Sequence, residues 1–443
     1  MDMTDSVRRR LLQGAALSGL AGWAGGLASA NAAGHPPAAS LNVHDFGARG
    51  DGKSDNTAAF QKALDAAHAQ GGGTVFAPAG QYLFKGHLTI PEFTTLRGIF
   101  AAPPAFVRTQ GTVLLPTEGR GNADGPPFLT LTGNTPALQG LAVFYPEQDE
   151  NAAAPTPYPW TVAHGGGDNL TVLDVALTNP YQGLRLGGAG RHYVARVYGQ
   201  PLAVGLFVDQ CYDVGRIENI HFWPFWTQKP AMMAWVNAHG VGLRFGRTDW
   251  EYVLNTFVLG YGIGYHFVET KDGACNGNFV GIGSDASGDA LVVEQTQGRC
   301  GLLITNGEFV GDARPDSQGM IVRATNAGPV TLQNCAFWGP SDHIGTIQGA
   351  GPVTLIGCNF GDWDKNNRQS PAFVLDGGGA TLAHCQFLPA GDGGGLRRIA
   401  RVTENCRSAV IIANTAIGRA FHVEMPPNAD PRRFQMGMNV TTE

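Results

Sequence analysis

Three octapeptides carry the same alternation of apolar and polar positions: VTLQNCAF at 330–337, VTLIGCNF at 353–360 and ATLAHCQF at 380–387. Looser copies lie at 215–222, 302–309 and 410–417, with similar runs near 136–143, 170–177, 191–198 and 251–258. Val330 and Leu332 alternate with Thr331 and Gln333, so each unit predicts a strand with one face turned inward. The fifth position is often Asn, at 219, 255, 306, 334 and 414. Asn tolerates left-handed backbone angles, so this position predicts a sharp bend. Beyond it the alternation resumes, with Cys335 and Phe337 inward and Ala336 outward. Successive units start mostly about 21 to 36 residues apart, a fluctuating period that signals a solenoid. Stacked coils would turn the asparagines into a ladder and stack the sulfurs and rings along the axis.

The period changes once near the N-terminus. Residues 57–69 predict an amphipathic helix with Asp55 near its start and Phe60 and Leu64 on one face. It would cover the open end of the stack, which is otherwise a hazardous sheet edge. Residues 418–443, richer in Pro and Met, are expected to cover the other end. Two segments break the rhythm as insertions, near 144–168 and 223–250, and long loops on a regular scaffold commonly carry function.

Composition narrows the function. The 443 residues include 63 Gly, and charged residues are only 15%, which suits many tight turns. The net charge of −6 offers no basic footprint for nucleic acid and does not favour an anionic membrane. Seven cysteines is an odd number, and Cys335, Cys358 and Cys385 recur in one motif, which favours stacked thiols over disulfides. No C-x-x-C occurs, so no metal-ligand set is expected on that spacing. Residues 1–33 hold Arg8 and Arg9 ahead of Leu11 and Leu12, a Gly-broken apolar run, and A-x-A sites at Ala28–Ala30 and Ala30–Ala32. This resembles a twin-arginine signal peptide and predicts a periplasmic or secreted protein.

Residues 41–98 read LNVHDFGARGDGKSDNTAAFQKALDAAHAQGGGTVFAPAGQYLFKGHLTIPEFTTLRG. A Gly/Asp-rich turn (Gly47, Gly50, Asp51, Gly52) leads into the helix, and glycines 71–73 stop it. The segment resembles the N-terminal cap and first coil of the pectate-lyase superfamily. That resemblance implies an all-β, single-stranded right-handed parallel β-helix of about 11 or more coils over residues 41–443, with an N-terminal capping helix. It also implies action on polysaccharide. The cap is often written D-D-T in that superfamily, whereas this chain has Ser54-Asp55-Asn56-Thr57. The polygalacturonase pattern of N-T-D, D-D, G-H-G and R-I-K is missing, and AHGVG at 238–242 is a poor substitute for its third part.

Candidate chemistry falls into three groups. An acidic row follows the octapeptides: Asp285, Asp312, Asp342, Asp362 and Asp392. Plain turn chemistry is the first reading of all five, and Asp285 and Asp312, close to the aromatic insertion, are the better candidates for catalysis. The GRTDWEY segment at 246–252 holds Asp249 and Glu251; by parity with Asn255, Glu251 leans inward, and a partly buried carboxyl has a raised pKa. Glu308 sits at an outward position near Asp312, and Glu269 and Asp272 are weaker candidates. The third group is aromatic: Trp223, Phe225, Trp226, Trp235, Trp250 and Tyr252, suited to stacking on sugar or to packing the insertion. His221 and His239 read as structural, and Arg244 and Arg247 could bind an acidic sugar.

The resulting expectation is a secreted glycoside hydrolase acting on a poly- or oligosaccharide. Its acid/base pair would come from Asp249, Glu251, Asp285, Glu308 and Asp312, and its subsites from Trp223, Trp226, Trp235, Trp250, Tyr252 and Arg247. No cofactor is required, no metal ligands are assigned, and the oligomeric state is left open. The alternatives are a uronate polysaccharide lyase using Arg244, Arg247 and Lys271, with calcium entering only in that case; an intramolecular glycosyl transferase; and a non-catalytic carbohydrate-binding rod.

Overall fold

The computed structural model describes residues 40–102, 110–188, 190–312, 314, 316–388, 398–418 and 421–442. The export segment 1–33 and Asp392 lie outside these residues. Among the described residues, no helix is long and apolar enough to cross a membrane.

The chain coils as a right-handed parallel β-helix, and every ladder between its strands is parallel. One sheet takes a single strand from each coil, 13 in all among the described residues, running from Leu88–Ile90 to His422–Glu424. The remaining strands form a second, 26-stranded sheet that folds around a corner. With strands about 4.8 Å apart, 13 coils make a rod roughly 60 Å long.

The corner is where the octapeptides bend. Gly140, Asp174, Arg196, Asn219, Asn255, Gly281, Asn306, Asn334, Gly357, His384 and Ala413 stack there, all with φ between 50° and 71°. Asn, Asp and Gly reach this region most readily, which explains their frequency at the fifth position. One expectation is corrected: in the 410–417 repeat the bend residue is Ala413, not Asn414. Thr381 pairs with Val410, so the last repeat is shifted by one residue and Asn414 takes the inward position of Cys385. Buried there, it accepts from Cys385 N at 2.9 Å and donates to Leu382 O at 2.9 Å.

Inside the corner, Phe309, Phe337, Phe360 and Phe387 form a column with centroids 4.7, 5.7 and 5.1 Å apart. Cys335, Cys358 and Cys385 form the neighbouring column as free, buried thiols. Helix α1 (Thr57–Ala69) closes the N-terminal end as expected. Asp55 accepts from Thr57 N at 3.0 Å, and Phe60 sits edge-on to Tyr82 and Phe84 at 5.1 and 5.0 Å. Asn56, the departure from the superfamily's cap, is buried and ties Arg49 N and Ser54 O together.

The two insertions prove shorter than expected. Within 144–168 the strand Trp160–His164 belongs to the 13-stranded sheet. Within 223–250, helix α2 (Pro230–His239) is followed by the regular strand Val241–Phe245. Residues 418–443 do not cap the rod either. Their strands Phe434–Gly437 and Val440–Thr442 pair in register with the preceding coil and add a further turn.

Candidate functional site

The outer face of the 13-stranded sheet gathers a set of charged and aromatic residues. Its strands share a short pattern: GLRL at 183–186, GLFV at 205–208, GLRF at 242–245 and GYHF at 264–267. The second and fourth residues point inward, so Leu184, Leu206, Leu243 and Tyr265 are buried in the core. The third points outward. Register then aligns Arg185 with Phe207, Phe207 with Arg244, and Arg244 with His266. The leading glycines allow tight coiling at the sheet's edge; a Cβ on Gly205 would lie 2.4 Å from the Phe222 ring.

The column is chemically connected. Trp160 stacks on Phe207 at 6.4 Å, and the Arg244 guanidinium lies over the same Phe207 ring at 5.2 Å. His266 Nε2 contacts Glu294 Oε1 at 2.8 Å. When Nε2–H donates to this carboxylate, the lone pair falls on Nδ1. His266 Nδ1 and Arg244 Nε are buried and have no hydrogen-bond partner. Buried polar groups are nearly always paired, and these two orphans lie on neighbouring coils. Burial is the largest influence on His266 and lowers its pKa; Glu294 opposes it, while Arg244 and Arg323 add to it. The imidazole is thereby kept in its neutral, basic form.

The acids singled out in the sequence scatter over several environments. Glu251 is fully buried inside the coil, bonded to His192 at 2.9 Å, so its expected part as a general acid on a surface groove does not fit its position. Its inward parity from Asn255 puts it there. Asp249 is tied to Arg247 and accepts from Gln297 at 2.9 Å and Asn276 at 3.2 Å. Burial pushes its pKa up, but the bonds from Arg247, Gln297 and Asn276 outweigh this and hold it below the ordinary value. Asp312 accepts from Asn237 of α2 at 2.9 Å and so anchors that helix.

Asp285 and Glu308 do share an outer face, on adjacent strands of the larger sheet. Glu308 pairs with Gly283, two residues before Asp285. Strand spacing and that offset put their Cα atoms roughly 8 Å apart. The acidic row itself does not form one edge. Phe279 is the third residue of its repeat rather than the last, since it pairs with Ile304. Asp342 is buried against Asn366 at 3.1 Å, whereas Asp362 is exposed in a bend.

The aromatic set divides as well. Trp226 is 8% exposed and belongs to the core, which corrects its assignment to a sugar subsite. Trp223 packs on Phe225 at 5.2 Å, and Trp235 lies between Tyr181 and His239 at 6.1 and 4.9 Å. Trp250 and Tyr252 are exposed, on the outer face of the larger sheet, with Arg216, Glu218 and Asn278 nearby. Two shallow clefts of about 170 and 230 Å³ flank Asn278, one against Trp250 and one against Tyr252. Arg247 lies beside Asp249 with its guanidinium over Tyr212 at 5.3 Å.

Of the column on the 13-stranded sheet, sequence reasoning named only Arg244. Arg185, Phe207, His266 and Glu294 were missed. The repeated Gly-Leu-x-apolar pattern, with the outward residue third, is the signal that would have found the first three.

Residues 40–147 match the family described as rhamnogalacturonase A/epimerase, pectate lyase-like. A stretch of 46 residues is 69% identical to mannuronan C5-epimerase AlgE3 of Azotobacter vinelandii, covering 10% of this chain and 2% of that protein. Plasmin and fibronectin-binding protein A of Streptococcus pneumoniae is 32% identical over 181 residues, 37% of this chain and 24% of that one. These matches thus span at most 24% of the length of either relative. Among solved structures, the pre-mature gene product 12 of bacteriophage phi29 superposes with a TM-score of 0.63 at 13% identity, over 90% of this chain and 55% of that one, a likeness of fold alone. Residues 40–147 thus carry the signature of the pectate lyase-like, rhamnogalacturonase–epimerase superfamily, and the described chain has its parallel β-helix fold.

Proposed function

We propose that this chain is a carbohydrate-active enzyme that abstracts the proton α to the carboxylate of a uronate polymer. The observation that carries the reading is the pair of unpartnered atoms on neighbouring coils, Arg244 Nε and His266 Nδ1. A uronate carboxylate set against Arg244 would lose charge repulsion toward the carbanion that forms at C5. His266 Nδ1 would take the C5 proton, with Glu294 stabilising the imidazolium. Trp160, stacked on Phe207 beside the column, offers a ring face to a sugar chain. The carbanion then either expels the C4 oxygen, which takes a proton from water and leaves an unsaturated uronate, or takes a proton from water on the opposite face, giving the C5 epimer. The likeness of a short stretch to a mannuronan C5-epimerase supports this chemistry class. The twin-arginine-like N-terminus supports a periplasmic or secreted place of action.

Glycoside hydrolysis is the second reading, because Asp285 and Glu308 share a face at a spacing compatible with a carboxylate pair. The test is incubation with mannuronan, polyguluronate and polygalacturonate in deuterated water. Near-ultraviolet absorbance reports elimination, and deuterium at C5 reports epimerisation. Either result, abolished in His266→Ala, supports the proposal. Reducing ends without absorbance or deuterium would overturn it in favour of Asp285 and Glu308.

A further inference from the structure

The interior of the rod holds a polar cluster that the surface chemistry does not use. His192, Cys211 and Glu251 are each fully buried, and one donor atom from each lies within 4.8 Å of the others. His192 and Glu251 are 59 residues apart and two coils apart in the stack. They meet at 2.9 Å because the coil between them contributes Gly215. A Cβ on Gly215 would sit 2.3 Å from the His192 ring and 2.5 Å from Glu251 Oε2. The second carboxylate oxygen, Glu251 Oε2, is buried without a hydrogen-bond partner. Leaving such an atom unpaired in a low-dielectric interior is costly.

From this geometry we infer a structural metal site for a borderline divalent cation of the zinc type, held by His192, Cys211 and Glu251. One imidazole nitrogen, one thiolate and one carboxylate form a donor set that suits zinc better than calcium or magnesium. Bonds of about 2.0–2.3 Å in tetrahedral array require donor separations of about 3.3–3.8 Å. The His192 ring and the Glu251 carboxylate pack directly on Gly215, so binding requires His192 Nε2 and Glu251 Oε1 to part from 2.9 Å to that separation, and the fourth tetrahedral position falls to a water carried in with the ion. On binding, the Cys211 S–H bond breaks and a sulfur–metal bond forms. The proton shared by His192 and Glu251 gives way to nitrogen–metal and oxygen–metal bonds, and the released protons go to solvent. Because the ligands come from three coils and are closed off from solvent, the ion is taken up as the coils stack. The site is separate from the column of Arg244 and His266 and does not depend on the activity proposed for it.

The test is metal analysis of the full chain produced in zinc-supplemented medium, and the spectrum of the same chain produced with cobalt. One zinc per chain is expected, retained against a chelator in the folded state and released on unfolding. The cobalt form should show a thiolate-to-metal charge-transfer band. Cys211→Ser and Glu251→Gln should lose the band and the metal. Cys275→Ser should keep both, since Cys275 is buried outside the cluster and accepts a bond from Thr248 at 2.9 Å. Absence of stoichiometric metal, or metal that survives Cys211→Ser, would overturn the inference. If the variants do not fold, the wild-type cobalt spectrum decides: no thiolate band means no such site.

Discussion

His266 and Glu294 face each other from neighbouring coils, Nε2 to Oε1 at 2.8 Å, and this contact leaves Nδ1, itself buried, as the ring nitrogen without a hydrogen-bond partner. Burial lowers the His266 pKa from 6.5, against the raising influence of Glu294. The acid limb of kcat/KM is therefore expected below pH 6.5. Glu294→Gln removes a raising influence, so it should move that limb lower still while reducing the plateau rate. Stability follows the same sign. The unfolded chain binds this proton more readily than the folded one, so the His266 contribution is unchanged above pH 6.5 and erodes as pH falls below it. Rate profiles of the wild type and Glu294→Gln check this; a wild-type limb above pH 6.5 would rule out His266 as the base.

The Arg244 guanidinium lies over Phe207 of the preceding coil, and its Nε is buried without a partner. Arg244→Ala should lower kcat on a uronate polymer about 10²–10³-fold, the usual cost of losing one donor to a developing charge. Arg244→Lys should recover only part of it, because a lysine keeps the charge but not the planar stacking. Steady-state kinetics on purified variants decides; an unimpaired Arg244→Ala would move the site elsewhere.

The phenylalanine column makes a stability prediction. Phe337 lies between Phe309 and Phe360 at 4.7 and 5.7 Å and is 1% exposed. Phe337→Ala should cost about 3–5 kcal/mol, since a stacked column between fixed strands collapses poorly around a cavity. Urea denaturation measures it, and a loss under about 1 kcal/mol would contradict tight packing there.

Ala413 occupies a bend position without the local advantage of Gly, Asn or Asp, with φ at 53°. An L-residue with a plain Cβ pays roughly 1–2 kcal/mol in that region, and glycine escapes the penalty. Ala413→Gly should therefore stabilise the chain by about 1 kcal/mol after its own entropic cost. A lowered denaturation midpoint would show that the Ala413 methyl packs usefully.

The relation between sequence and structure differs from one feature to the next. Thr57–Ala69 was legible as a helix, and Asn219, Asn255, Asn306 and Asn334 were legible as bends, because both signals are local. The repeat near 410–417 was misplaced by one residue, since Ala413 bends where an asparagine was expected. The strand Val241–Phe245 was hidden inside an apparent insertion, so Arg244 was read as a loop residue rather than as a member of a column. Trp226 was drawn into a binding group by composition, although tertiary packing buries it.

By itself the sequence determined that the chain coils, where most of its asparagine repeats bend, which end the helix closes, and that many alternate side chains face inward, Glu251 among them. Those properties follow from alternation and backbone preference within a few residues. Only the tertiary structure decided that Arg244 lies over Phe207, that His266 meets Glu294, and that His192 reaches Glu251 across Gly215. Such neighbours are set by strand register between coils of unequal length, and turns of varying size erase any fixed spacing that a reader of the chain could follow.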